Sequence, residues 1–322
     1  MTWTLRAKVF FSLSALLLVF CLWVHISQPD ALASVTVWPV WIWAFPGLLL
    51  TWFAFSTKFP KPSLLIGIAW LVYVIIIAEE PLSVVRSLLP APASKGHKIT
   101  VVSINCSGGL IAAALESVCF HPDIVLLQES PGRKQVQRIA RKMFGDSGDY
   151  MYGFDCSIVS RRKLEKVDWG WSVGMAAQPA KTRIGGREVF IVSAHLAPVP
   201  FREDIWTSEN RRLYEGRRQM HRMQIESITT HLRKLPAETP IIIGGDFNAP
   251  AGDGIFRLWD DFLTDSFKTA GRGWGNTFLN EAPAIRIDQI WASRQIQPLG
   301  VTVWRTLNSD HRLVVAELDL AR

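Results

Sequence analysis

The sequence predicts an α/β or mixed-sheet domain carried behind an N-terminal block of membrane helices. Three observations predict it. Hydrophobicity is concentrated at one end of the chain. Strand-like and helix-like stretches interleave after residue 97. Several of those strand-like stretches end in a carboxylate, an amide or a histidine.

The first observation is a matter of charge. Of 35 Lys+Arg and 28 Asp+Glu, residues 1–90 hold only Arg6, Lys8, Lys58, Lys61 and Arg86 with Asp30, Glu79 and Glu80. The other 30 and 25 lie in residues 91–322, a net charge of +5. Seven of the 14 Trp also fall in the first 90 residues. A chain that is 49% hydrophobic is not a disordered one, and four cysteines do not make a disulfide scaffold.

Three uncharged or nearly uncharged runs, at 9–26, 35–55 and 59–78, are each near the roughly 20 residues that cross a bilayer core. Trp38, Trp41, Trp43 and Trp52 suit interfacial positions, and Lys61 snorkels outward if the third run starts at Phe59. Two alternatives stand beside this. Ala31-Leu32-Ala33 has the form of a signal-cleavage site, and the third run reads also as a buried or re-entrant segment. Arg6 and Lys8 before the first run and Lys58 and Lys61 in the second loop, around the start of the third run, set the cytoplasmic side. Three spans then place everything beyond Glu79 outside the cell membrane, as does a cleaved signal; loss of the third span reverses the side. The organisation expected is a multi-pass anchor over 1–80, a Pro- and Ala-rich semi-extended linker over 81–96, and a folded domain over 97–322. Cys106, Cys119 and Cys156 admit either one disulfide or buried free thiols.

Within the domain, residues 98–105 alternate and are β-branched, a strand. Residues 110–119 read as a helix, 124–127 as a continuous apolar strand, and 133–144 as a basic amphipathic helix. Strands follow at 156–160 and 189–194, a long Arg- and Gln-rich helix at 208–235, and strands at 241–244, 286–292 and 313–318. The ends of these strands carry the chemistry: Asn105, Glu129, His195, Asp246 with Asn248, and Asp310 with His311, while Asp288 sits inside an apolar strand. Ligands of open α/β sheets gather beyond strand ends, and hard divalent cations favour carboxylate and amide oxygens. Asp246 and Asn248 are two residues apart, so an extended backbone projects both to one face; the glycines before them suggest a close backbone turn. No zinc-type Cys/His spacing, phosphate-binding loop or nucleophile elbow occurs.

Ser103-Ile104-Asn105, Leu127-Gln128-Glu129, Ser193-Ala194-His195-Leu196, Gly244-Gly245-Asp246-Phe247-Asn248, Arg286-Ile287-Asp288-Gln289-Ile290 and Ser309-Asp310-His311 resemble, in order, the motifs of the endonuclease/exonuclease/phosphatase superfamily, with its deoxyribonuclease-I-like fold. The resemblance covers about residues 98–320. It implies a four-layer α/β sandwich, two packed mixed sheets flanked by helices, behind about three transmembrane helices. It implies a Mg²⁺- or Mn²⁺-dependent hydrolase of phosphate esters, with a lipid headgroup or a nucleic acid as substrate.

The resemblance also assigns roles. Glu129 becomes the principal metal ligand with Asn105 assisting, and Asp310 a second metal ligand or positioning residue. Asp246 activates water and Asn248 holds the phosphate or the nucleophile. His311 serves acid–base or phosphate-stabilising chemistry with Asp288 fixing its tautomer, and His195 contacts phosphate or the leaving group. Secreted nuclease members pair the histidine matching His195 with a glutamate; here Asp155 is the carboxylate placed to substitute. The basic pairs Arg133-Lys134, Arg211-Arg212, Arg217-Arg218 and Arg233-Lys234 read either as solvated helix faces or as contacts for phosphate backbones or lipid headgroups. Filled polar positions argue against an inactive interaction domain, and spans without charge (His25 near one end aside) argue against a transporter.

Overall fold

The computed structural model describes residues 5–56, 60–170, 176–199, 204 and 207–321. Two compact units emerge: Met1–Leu82 with Phe201–Gly216, and Ser83–Pro200 with Arg217–Arg322.

The first unit holds helices α1 (Leu5–Ser27), α2 (Ala33–Thr36), α3 (Val40–Ser56) and α4 (Pro60–Ile77). They cover the three apolar runs; Lys58 and Phe59 lie outside the described residues. By length and composition α1 is able to cross a membrane by itself, and the count rises to three only if two bent helix pairs are each taken as one span. Packing here is inverted relative to a water-soluble bundle. Polar contacts lie inside: Ser14 Oγ donates to Gly47 O at 2.9 Å, and Trp70 Nε1 donates to Ser14 Oγ at 3.0 Å. Leu16, Val19, Trp52, Leu65 and Ile76 face outward and exposed. Small and polar residues between helices with apolar residues outside is how helices pack in lipid.

The second unit begins in α5 (Glu80–Ser87), so part of the expected extended linker is helical. Its first sheet has the order β11-β12-β1-β2-β4-β3 and its second β5-β6-β7-β8-β10-β9. The first comprises β1 (His97–Asn105), β2 (Ile124–Gln128), β3 (Asp149–Tyr152), β4 (Ser157–Ser160), β11 (Ile296–Trp304) and β12 (Leu313–Leu320). The second comprises β5 (Glu165–Lys166), β6 (Ala177–Ile184), β7 (Arg187–His195), β8 (Ile241–Asp246), β9 (Leu263–Asp265) and β10 (Asp288–Ser293). Both are mixed: β1 runs parallel to β2 and antiparallel to β12, and β7 runs parallel to β8, which is antiparallel to β10.

Period-two alternation splits each strand between two cores. Ile99 and Val101 of β1, with Val189 and Ile191 of β7, fill the space between the sheets. Val102 and Ile104 face α6 (Ile111–Glu116) and α7 (Arg133–Phe144), while Phe190 and Val192 face α8 (Ser208–Leu232) through Ile225, Ile228 and Leu232. The result is helix, sheet, sheet, helix. Each such buried aliphatic side chain contributes about 1.5–3 kcal/mol. The three domain cysteines are free thiols, Cys106 and Cys156 buried and Cys119 exposed, so no disulfide joins them.

Candidate active site

The site grows from the strand register. His195 on β7 pairs with Asp246 on β8, and Asp246 pairs with Asp288 on β10. Three candidate residues thus form one row across three strands of the second sheet. The first sheet supplies the rest from its matching end: Asn105 closes β1, Glu129 follows β2, Asp155 lies in the β3–β4 turn and His311 precedes β12.

Gly244 and Gly245 form no turn; both lie inside β8. A Cβ at Gly244 would come within 2.9 Å of Leu126 Cδ1 on the opposing sheet. Gly245 has φ +155°, and a Cβ there would stand 1.8 Å from Ala194 O. The pair therefore lets two sheets and a neighbouring strand close around Asp246, a close approach only glycine permits. Buried polar side chains knit the sheets beneath: Gln128 Nε2 donates to Ser193 Oγ at 3.0 Å, and Ser193 Oγ to Leu127 O at 3.1 Å.

Asp246 is the hub. Its Oδ2 accepts from Asn105 Nδ2 at 3.1 Å, and stands 3.6 Å from His195 Nε2 and 3.8 Å from His311 Nε2. Its Oδ1 accepts from Asn248 N at 2.9 Å, and Asn248 Nδ2 donates to Leu196 O at 3.0 Å. Each histidine is backed by its own carboxylate, His195 Nδ1 on Asp155 Oδ2 at 2.6 Å and His311 Nδ1 on Asp288 Oδ2 at 2.9 Å. Both pairs orient Nε2 inward. Asn105 Nδ2 also donates to Glu129 Oε1 at 3.2 Å, and Glu129 Oε2 accepts from Gly108 N. Glu129 and Asn248 adopt φ +45° and +47°, a left-handed conformation uncommon outside glycine that aims both side chains into the site.

Burial shapes the proton affinities. It raises Asp246, with the Asp288 charge adding to it and the two histidines opposing, to about 6 from 3.8. Burial disfavours the charged form of His311, but the Asp288 charge and hydrogen bond outweigh it and push the imidazole up to about 10. His195 is raised likewise: burial opposes, and the Asp155 hydrogen bond and the Asp246 charge prevail.

All but one of the side chains expected from the sequence meet in this cluster. Asp310 is exposed, and among the described residues its carboxylate makes no hydrogen bond to the rest of the cluster; its backbone O accepts from Asn280 N at 2.8 Å. Asp155, read from sequence only as a substitute for an absent glutamate, is a direct partner of His195. Thr277 had no signal in the sequence, yet its Oγ accepts from Ile287 N and Asp288 N. Ser309 fixes the loop of His311, donating to Asn105 O at 2.8 Å and accepting from His311 N.

The donor set suits a hard divalent cation. It offers carboxylate and amide oxygens and an imidazole, and among the described residues the group close enough to hold an ion contains no cysteine. Ligand atoms of Asp246, Asp288 and His311 lie within 4.8 Å of one another, and buried Asp288 Oδ1 has no hydrogen-bond partner. Asp288 and His311 are already locked together, whereas Glu129, hydrogen-bonded to Asn105, is only half-buried.

Solved structures share this architecture. A Bacteroides vulgatus endonuclease/exonuclease/phosphatase has a TM-score of 0.54 at 19% identity, covering 70% of this chain and 99% of its own. D. rerio TDP2 humanised by 14 mutations gives 0.52 at 18%, covering 69% and 99%. An endonuclease/exonuclease/phosphatase family protein of Bacteroides thetaiotaomicron gives 0.51 at 17%, covering 71% and 100%. At such identities the likeness establishes the fold. A search of curated protein sequences finds no match. The family itself rests on sequence: its profile aligns with residues 102–311, from β1 through His311, which takes in every strand-end residue described above. Over well more than half its length, then, the chain is a member of the Endonuclease/Exonuclease/phosphatase family, whose members hydrolyse phosphate esters.

Proposed function

We propose that this chain is a membrane-tethered, divalent-metal-dependent phosphoesterase that attacks a phosphodiester or phosphomonoester with in-line water, and that its substrate is a lipid or lipid headgroup. The observation that carries the reaction is the convergence of two carboxylate-backed histidines on one buried aspartate. Asp246, with its raised proton affinity, accepts the proton of the attacking water near neutral pH. Protonated His311, held by Asp288, places positive charge against the phosphoryl oxygens. His195, oriented by Asp155, donates a proton to the leaving oxygen, and Asn248 positions the phosphate. Glu129 and Asn105 would hold a Mg²⁺ or Mn²⁺ ion, which neutralises phosphate charge; Asp310 is proposed for a second, more exposed ion.

The lipid reading rests on the rim. The loops at the site end expose Leu110, Phe154 (80% exposed), Leu279 and Leu307 (87% exposed). Apolar side chains around a charged cleft suit an amphiphile better than a free polyanion. The inward-packed, outward-apolar N-terminal unit supports a membrane tether, and the Lys/Arg pattern supports a multi-pass topology with the domain on the extracytoplasmic side. The second reading is a nuclease. Arg133 opens α7 at the site end with its guanidinium 5.2 Å from the Tyr152 ring centroid, an arrangement suited to phosphate and base. Several other basic residues are already engaged: Arg218 is buried on Asp253, Arg161 meets Asp123 and Arg233 meets Asp261.

The test is a substrate panel on the full chain in detergent with Mg²⁺: phosphatidylinositol phosphates, sphingomyelin, plasmid DNA and RNA. Turnover of a lipid, lost in Asp246→Asn, is expected. Turnover of nucleic acid alone replaces the first reading with the second.

A further inference from the structure

The linker helix carries two faces that the reaction does not use. Ser83 and Arg86 turn toward the folded domain. Ser83 Oγ donates to Gly273 O at 2.7 Å, and Arg86 donates to Lys268 O at 2.8 Å and Gly271 O at 3.2 Å. Arg272 answers, donating to the carbonyls of Arg86 at 2.9 Å, Leu89 at 2.6 Å and Pro90 at 2.9 Å. Asp319 then accepts from Ser94 Oγ and the backbone N of Lys95 and Gly96. The segment is strapped down along its length.

Its other face is apolar and bare. Val84, Val85, Leu88 and Leu89 are exposed, Leu88 by 82%. From Pro81 to Ser94 the only charged side chain is Arg86, and it is bound to backbone carbonyls. Water gains nothing from that face, while α4, an apolar helix with outward-facing Leu65 and Ile76, ends at Ile77, three residues before α5 begins.

We propose that the face formed by Val84, Val85, Leu88 and Leu89 lies in the headgroup–acyl boundary of a lipid bilayer, making α5 an interfacial seat for the domain. It rests on the reading that the N-terminal helices are embedded in membrane. Amphipathic segments seat this way when one face is apolar and the other finds polar partners. Here those partners are the carbonyls at 267–273. The same segment leads to Thr277, which holds the Asp288 backbone, and to Phe278, whose ring centroid is 5.0 Å from that of His311. Membrane seating and the His311–Asp288 pair therefore share one stretch of chain.

The experiment uses the full chain in phosphatidylcholine vesicles, with exposed Cys119 replaced (Cys119→Ser) and single labelling sites at Leu88→Cys, Val85→Cys, Leu16→Cys in α1, and exposed Lys95→Cys. An environment-sensitive fluorophore at each is quenched with lipids bearing a nitroxide near the headgroup or deep in the acyl chain. Headgroup-level quenching about threefold stronger at Leu88→Cys and Val85→Cys than at Lys95→Cys is expected for a helix at that depth. If both match Lys95→Cys while the deep nitroxide quenches Leu16→Cys, the interfacial seat is wrong and the membrane reading stands. If Leu16→Cys is unquenched, both fall. Probes at 85 and 88 shielded from aqueous iodide yet untouched by nitroxide lipid would mean that protein covers the face, and would also overturn the proposal.

Discussion

Asp246 does the most at the smallest scale. It collects hydrogen bonds from Asn105 and Asn248 and faces both histidines, so Asp246→Asn keeps the shape and removes the proposed base. A fall in kcat of about 10²–10⁴-fold is expected, measured on any substrate turned over. Asp155 acts through His195; Asp155→Asn is expected to lower activity by about 10–100-fold and to displace the pH profile, whereas a purely structural residue would leave the profile in place. The sign of the pH dependence follows from the two shifted groups. Asp246 must be ionised, so kcat/KM rises as pH passes about 6 in weakly bound metal and at lower pH once a cation sits beside the carboxylate. His311 must stay protonated, so kcat/KM falls as pH passes about 10. A profile that shows neither the acidic rise nor the alkaline fall would contradict the assignment of both. Most of this cluster was legible because its residues lie at or beside strand ends and their motifs survive in order. Asp155 was nearly missed because the family motif has a glutamate and the β3–β4 turn has no periodic pattern. Thr277 was missed altogether because its role is to accept two backbone N–H groups, which leaves no mark in sequence.

Among the elements, α7 was predicted at its observed bounds because its amphipathic period is strong, and β1, β2 and β7 were predicted within a few residues because buried strands read as β-branched runs. β6 and β11 were not seen. β6 carries Pro179, Lys181 and Arg183 among its apolar residues, and β11 carries Pro298 at a register shift. Proline and charge hide a strand whose existence depends on its neighbours. Gly244 and Gly245 were read as a turn because glycine pairs so often are; only the facing sheet reveals that they permit contact instead. Gly245→Ala, with Ala194 O in the way, is expected to destabilise the fold by about 3 kcal/mol or more, read as a loss of urea resistance by tryptophan fluorescence. An unchanged midpoint would mean the β7–β8 contact relaxes freely.

At the scale of the molecule, the charge distribution and the packing agree on two units of different character. The first hides serine and threonine and presents leucine; the second hides isoleucine and presents charge. One helix, Leu5–Ser27, passes as a span by length and composition, and a count of three depends on taking each bent pair as one span, with bends at about residues 37–39 and 78–79 that hydropathy does not register. A C-terminal reporter active only in the periplasmic or extracellular compartment is the expected outcome if the charge bias sets the side, and cytoplasmic activity would reverse it. The central claim is that the strand-end cluster is a metal-dependent phosphoesterase site. The most direct measurement is hydrolysis of a chromogenic phosphodiester by the detergent-solubilised chain, titrated with Mg²⁺ after EDTA treatment, for the native protein and Glu129→Gln. Activity abolished by EDTA, restored by Mg²⁺, and requiring far more Mg²⁺ in Glu129→Gln is expected; EDTA-resistant turnover, or a Glu129→Gln titration that overlays the native curve, would contradict it.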